Sequence, residues 1–170
     1  IVRSMKGDTI EVVNTDAEGR MVLVDALWYV QDRFQPAAVV NLATLTGAVI
    51  IALGTRHTGV MGHGDAPDAF LLAADRTGEH AWALPLMEHM QPALDSRVAD
   101  MQNANVGDRA AGTVFAGLFL QRFVGRIDND PEADRIPWVH LDIAGSGMST
   151  SSAYGFTDKG PTGASTRALI

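Results

Sequence analysis

The stretch IEVVNTDAEGRMVLVDALWYVQDRFQPAAVVNLATL, Ile10 to Leu45, decides the fold. It runs through a β-branched segment, an acidic turn, a helical segment and a second β-branched segment. Ile10 to Asn14 is short and rich in β-branched residues, which predicts a strand. From Gly19 the period lengthens: Val22, Ala26, Leu27, Val30 and Phe34 recur at helical spacing and stop before Pro36, with Asn14, Thr15 or Asp16 as the upstream cap. Ala37 to Leu45 is an unbroken apolar run, suited to a strand covered on both faces in a parallel part of a sheet.

The alternation continues outward. LTGAVIIALG, Leu45 to Gly54, predicts a short helix stopped by Gly54, and Thr58 to Gly62 another short strand. Asp65 is placed to cap a helix over APDAFLLAADRTG, with Pro67 in its first turn and Gly78 at its end. Trp82 to Ala110 is punctuated by Pro85, Pro92 and Gly107, and reads as a short helix over Met87 to Leu94 followed by loop. AAGTVFAGLFLQRFVG predicts a buried helix carrying Phe115, Phe119 and Phe123. DNDPEADRIP is an acidic connection, Trp138 to Gly145 a strand, and TRALI the start of a last helix. Strands alternating with helices predict a layered α/β/α domain with a largely parallel or mixed sheet. Ligands gather outside the carboxyl ends of strands in such sheets, which singles out NTDAEGR, ATLTG and DIAGSGM.

Composition narrows the chemistry. The 170 residues suit one domain. A formal charge of −7, from 13 Lys and Arg against 20 Asp and Glu, offers no basic face for nucleic acid. The chain has no cysteine, which removes disulfides, thiolate metal sites and a cysteine nucleophile together. Arg3, Lys6 and Asp8 interrupt the first residues, so no signal peptide or membrane span is expected and a cytoplasmic location is the default. The start at Ile1, without Met, suggests that further sequence precedes it.

In an extended chain Asp16, Glu18 and Arg20 share one face, so all three are expected to point into one cavity. Two carboxylates so placed repel each other unless a hard divalent cation separates them. Arg20 keeps its proton at neutral pH and therefore suits an anion clamp and not a base. The structural alternative is negative charge decorating the first turn of a helix, worth about 0.3–1 kcal/mol per group.

NTDAEGRMVLVDALWY, Asn14 to Tyr29, resembles the signature of the leucyl aminopeptidase family, metallo-aminopeptidases with two metal ions. NLATLTGA, Asn41 to Ala48, resembles the family's next block and HLDIAG, His140 to Gly145, its last. The resemblance implies that Asp16 ligates one metal and that Glu18 bridges two, Mn²⁺ or Zn²⁺. Arg20 would hold a bicarbonate that serves as general base. Thr44, Leu45 and Gly47 would lie along the substrate, with Leu45 offering its backbone carbonyl, and Ala144 and Met148 would wall the pocket. AGSGM carries one residue more than some relatives at this point. Peptide substrates with N-terminal residues such as leucine, and a hexamer, are implied for the intact protein.

The family's remaining ligands, a lysine and two aspartates, and its second catalytic lysine belong to motifs of the type GKGxTFDxGG and MKxDMxG that precede the signature. Neither occurs here, and Lys6 in MKGD reads as a loop lysine. Residues 1–170 are accordingly expected to be the C-terminal part of the catalytic domain, inactive alone, with the upstream motifs and the family's N-terminal domain outside it. A catalytically inactive structural or regulatory relative is the alternative. Other chemistries fit poorly. His57, His63 and Asp65 lack a metal-binding spacing, Gly145-Ser146-Gly147 is not a nucleophile elbow, and no phosphate-loop pattern is present.

Overall fold

A computed structural model describes residues 1–170. In chain order the elements are β1 (Val2–Arg3), β2 (Thr9–Glu11), α1 (Gly19–Phe34), β3 (Val39–Ala43), α2 (Gly47–Leu53), β4 (Thr58–His63) and α3 (Ala66–Thr77). There follow β5 (Ala81–Ala83), β6 (Met101–Gln102), α4 (Gly112–Gln121), β7 (Trp138–Asp142), β8 (Met148–Ser149), β9 (Gly160–Pro161) and α5 (Thr166–Leu169). Single 3₁₀ segments cover Thr15–Ala17 and Glu88–Leu94.

The main sheet has the order β3-β7-β4-β5. β3 runs parallel to β7, β4 antiparallel to β7 and parallel to β5, so the sheet is mixed. Side chains alternate across β7. Trp138 joins the core under α1 and α4, with Leu27, Phe119 and Phe123, while Val139 and Leu141 join the core under α3, with Phe70 and Ala74. Helices thus cover both faces, as expected of the layered α/β/α class. A smaller sheet, β1-β2-β6, carries the entry to the acidic turn.

Several expectations change. β3 is an edge strand, not one covered on both faces, and Val40 and Leu42 are exposed; the fully buried strand is β7. The strand at Ile10 stops at Glu11 because the Asn103 side chain, not a neighbouring strand, accepts the Val13 and Asn14 amides. In α1 the core-facing stripe is Val24, Leu27 and Gln31, whereas Val22 and Phe34 are exposed. Gln31 is buried because its amide is satisfied: it donates to the Leu27 and Phe123 carbonyls and accepts from the Gly125 amide, fastening α1 to the end of α4. The short helix expected at Met87 to Leu94 is a 3₁₀ segment over Glu88–Leu94, β5 precedes it, and β6 lies in the stretch expected to be loop.

The stops follow local chemistry. Gly54 and Gly78 end α2 and α3 with positive φ, where a side chain is strained. Asp65 precedes α3 but makes no side-chain capping bond. Lys6 lies in a loop, paired to Asp8 and donating to the Arg122 carbonyl. No helix is long and apolar enough to cross a membrane.

Candidate active site

The acidic turn is held by two asparagines. Asn14 caps the 3₁₀ segment by accepting the Asp16 amide. Asn103, fully buried, accepts the Val13 and Asn14 amides through Oδ1 and donates through Nδ2 to the Asn14 carbonyl. The turn is therefore helical and not extended, which removes the strand geometry expected to align Asp16, Glu18 and Arg20. What replaces it is a division of labour. Asp16 and Glu18 are exposed, and neither side chain makes a hydrogen bond or ion pair. Arg20 turns the other way.

Arg20 precedes Val24, Leu27 and Gln31 by four, seven and eleven residues and so begins the inner stripe of α1. Its guanidinium carbon lies 5.8 Å from the Phe115 ring centre and 5.9 Å from that of Phe119, and Nη1 donates to the Asn103 carbonyl at 2.7 Å. Nε is shielded from water and has no partner. Burial pulls the guanidinium below its ordinary pKa while the Asp142 charge opposes that shift. An arginine remains cationic under such a shift, so the side chain keeps unused N–H donors for an anion.

Asp142, at the carboxyl end of β7, joins the other two blocks. One oxygen accepts the amides of Leu45, Thr46 and Ala144 at 3.1, 3.4 and 3.2 Å; the other accepts the Thr46 hydroxyl at 2.7 Å. Thr46 in turn caps α2 by accepting the Val49 amide and contacts Thr113 at the start of α4. Burial raises the Asp142 pKa, and these hydrogen bonds oppose the rise by stabilising the carboxylate. The strand ends of β3 and β7 are thus fastened side by side, with Thr44 and Gly47 exposed on the turn between β3 and α2, Leu45 packed against the core and Ala144 half-buried. Met148 lies apart from this bond network, half-exposed in the β8–β9 pair.

Asp142 and Asn103 were not singled out in the sequence. Asp142 carried a signal, since a carboxylate in an otherwise apolar buried strand requires several donors. Asn103 carried none, because it works through side-chain bonds to a segment about 90 residues away.

One further group on β7 is fixed by its neighbours. Asn41 accepts from Trp138 Nε1, so its amide nitrogen donates to His140 Nδ1 at 2.8 Å and leaves the proton on Nε2. His140 is fully buried, its Nε2 has no partner, and burial pushes its pKa down to about 4. Below pH ~6.5 the unfolded chain takes up a proton that the folded chain refuses until about pH 4, so stability falls as pH falls through that window. The loss approaches about 3 kcal/mol. Urea unfolding at pH 7 and pH 4.5 should show a smaller pH-dependent loss for His140→Gln than for the unchanged chain; equal losses would contradict this.

Comparison with known proteins decides what the three blocks belong to. Residues 1–170 match the model of the cytosol aminopeptidase family, catalytic domain. The chain belongs to the cytosol aminopeptidase family. A probable cytosol aminopeptidase of Leifsonia xyli subsp. xyli is 48% identical over all of this chain and 34% of its own length. One from Cereibacter sphaeroides is 52% identical over 96% of this chain and 31% of its own. The chain spans about a third of the length of these relatives. Among solved structures, the bottromycin maturation enzyme BotP superposes with a TM-score of 0.88 at 39% identity, covering 99% of this chain and 35% of that one. A form of BotP in complex with Mn superposes with a TM-score of 0.87. The family's membership and fold thus rest on the whole chain.

Proposed function

We propose that residues 1–170 form the C-terminal part of the catalytic domain of a two-metal aminopeptidase, which releases N-terminal residues such as leucine from peptides. The observation that carries this is the pair of exposed, unpartnered carboxylates, Asp16 and Glu18, on a turn braced from beneath by Asn14 and Asn103. Exposure and the lack of any partner within the chain leave both carboxylates free to act as ligands.

Their donor chemistry fits Mn²⁺ or Zn²⁺, for which carboxylate oxygen is a suitable ligand. It fits as a share of a site. No three His, Cys, Asp or Glu side chains come close enough to hold a metal, and such ions take four or more ligands. The other donors would come from the part of the family's length that this chain does not span. Two cations held there would supply Lewis acidity toward a water and the scissile carbonyl. Within this chain, Asp16 and Glu18 would fix the cations, and Arg20 would orient an anion such as bicarbonate through its unused N–H groups while staying protonated itself. The turn from Thr44 to Gly47, set by Asp142, would run along the peptide, with Leu45 offering its carbonyl and Ala144 and Met148 bounding the pocket. The resemblance to the family, and not this geometry, is what supports a cytoplasmic hexamer for the intact protein.

An incomplete donor set has a direct consequence. Incubated with Mn²⁺ or Zn²⁺ and a chromogenic leucine amide, the 170-residue chain should show no turnover above the metal alone. Turnover matching an intact family enzyme would mean that these residues hold the whole site.

A further inference from the structure

A cavity of about 190 Å³ opens between the starts of β4 and β5, the end of α3 and the segment from Ser146 to Arg167. No residue of the acidic turn lines it. Two cations face it. Arg56 sits over Tyr154, its guanidinium carbon 3.7 Å from the ring centre, and its side chain makes no hydrogen bond or ion pair. Arg167 sits 4.2 Å over Phe156, with Nε 3.6 Å from Glu79 Oε1. A guanidinium stacked on a ring still has its N–H groups in its own plane, free to grip a carboxylate.

The opposite wall has the opposite need. The Glu79 side chain is 8% exposed; Oε1 faces Arg167, while Oε2 is shielded from water and has no partner. Ser165, 2% exposed, also leaves its Oγ without a partner. A buried carboxylate oxygen without a donor is costly, and retaining one beside a cavity points to a donor supplied from outside. A simple anion would satisfy the arginines and leave Glu79 as it is. A simple amine would do the reverse. Phe70, Ala81 and Ala164 add an apolar wall.

We infer that this cavity binds a free α-amino acid, with the carboxylate on Arg56 and Arg167, the ammonium on Glu79 Oε2 and Ser165 Oγ, and an apolar side chain against Phe70, Ala81 and Ala164. The inference rests on this cavity alone and stands whether or not Asp16 and Glu18 hold metal.

Equilibrium dialysis of labelled leucine against the metal-stripped full-length protein tests it. Saturable binding is expected, weakened at least about tenfold by Arg56→Met and by Glu79→Gln and unchanged by Asp16→Asn. Acetate and leucinamide, each carrying half of the recognition, should compete at least about tenfold more weakly than leucine, a comparison that needs no variant to fold. Absence of saturable binding, or acetate competing as well as leucine, would overturn the assignment. Loss of binding in Asp16→Asn with Arg56→Met unaffected would move the ligand to the acidic turn and overturn it too.

Discussion

Replacing Glu18 by Gln in the full-length protein is expected to lower kcat/KM for a leucine amide by on the order of 10³-fold or more, because in the proposed site Glu18 would be one of the carboxylates that hold the metals. The substitution keeps shape and removes charge. Glu18 is exposed and touches no other side chain by hydrogen bond or ion pair, so the folded state should change by no more than about 0.5 kcal/mol. That separation is what makes the result informative: a large kinetic loss without a stability loss locates Glu18 in the chemistry. Activity within about threefold of the unchanged enzyme would remove it from the site.

The second large effect concerns Asp142 and is one of stability. Asp142→Ala strips the acceptor from three backbone amides and one hydroxyl that meet at the ends of β3 and β7. Leaving buried donors unpaired costs about 1–3 kcal/mol each when water cannot replace the acceptor, and partial relaxation brings the expected total to about 3–5 kcal/mol. Asp142→Asn keeps one oxygen for the three amides and should cost about 1–2 kcal/mol. Urea unfolding orders the two variants. A loss below about 1 kcal/mol for Asp142→Ala would show that the Thr44–Gly47 turn is held by other means.

Much of this arrangement was legible in the chain, for reasons that differ by segment. α1 runs from Gly19 to Phe34 as its period and Pro36 require, because helix limits are local chemistry. Its buried face was not legible. The apolar set containing Val22, Val30 and Phe34 has good helical spacing, yet the core takes the stripe whose ends are Arg20 and Gln31, two polar residues that donate to the Asn103 and Phe123 carbonyls. Periodicity weighs hydrophobicity and cannot weigh a hydrogen bond to a distant carbonyl. The same limit hid β6, a two-residue strand paired with β2 across 91 positions, and with it Asn103, which shapes the acidic turn.

For the site, the three blocks were visible as words, and the segments they mark meet at α4, where Arg20 lies over Phe115 and Phe119 and Thr46 contacts Thr113. The alternation of Asp16, Glu18 and Arg20 suggested a shared face; the helical turn instead sends the carboxylates outward and the guanidinium inward. β3, expected to be covered on both sides, is an edge with Val40 and Leu42 exposed. The departure at the turn has a physical origin: residue pattern specifies which side chains need company, while the fold determines where that company lies.

Metal content measures the proposed role of the acidic turn most directly. Full-length protein, its Asp16→Asn and Glu18→Gln variants and a Thr44→Ala control would be dialysed against limiting free Mn²⁺ and analysed by mass spectrometry of the metal. Both carboxylate variants should retain less metal per chain than the unchanged protein, with Thr44→Ala unaltered. Full metal content in Asp16→Asn and Glu18→Gln alike would contradict the assignment of these residues as ligands.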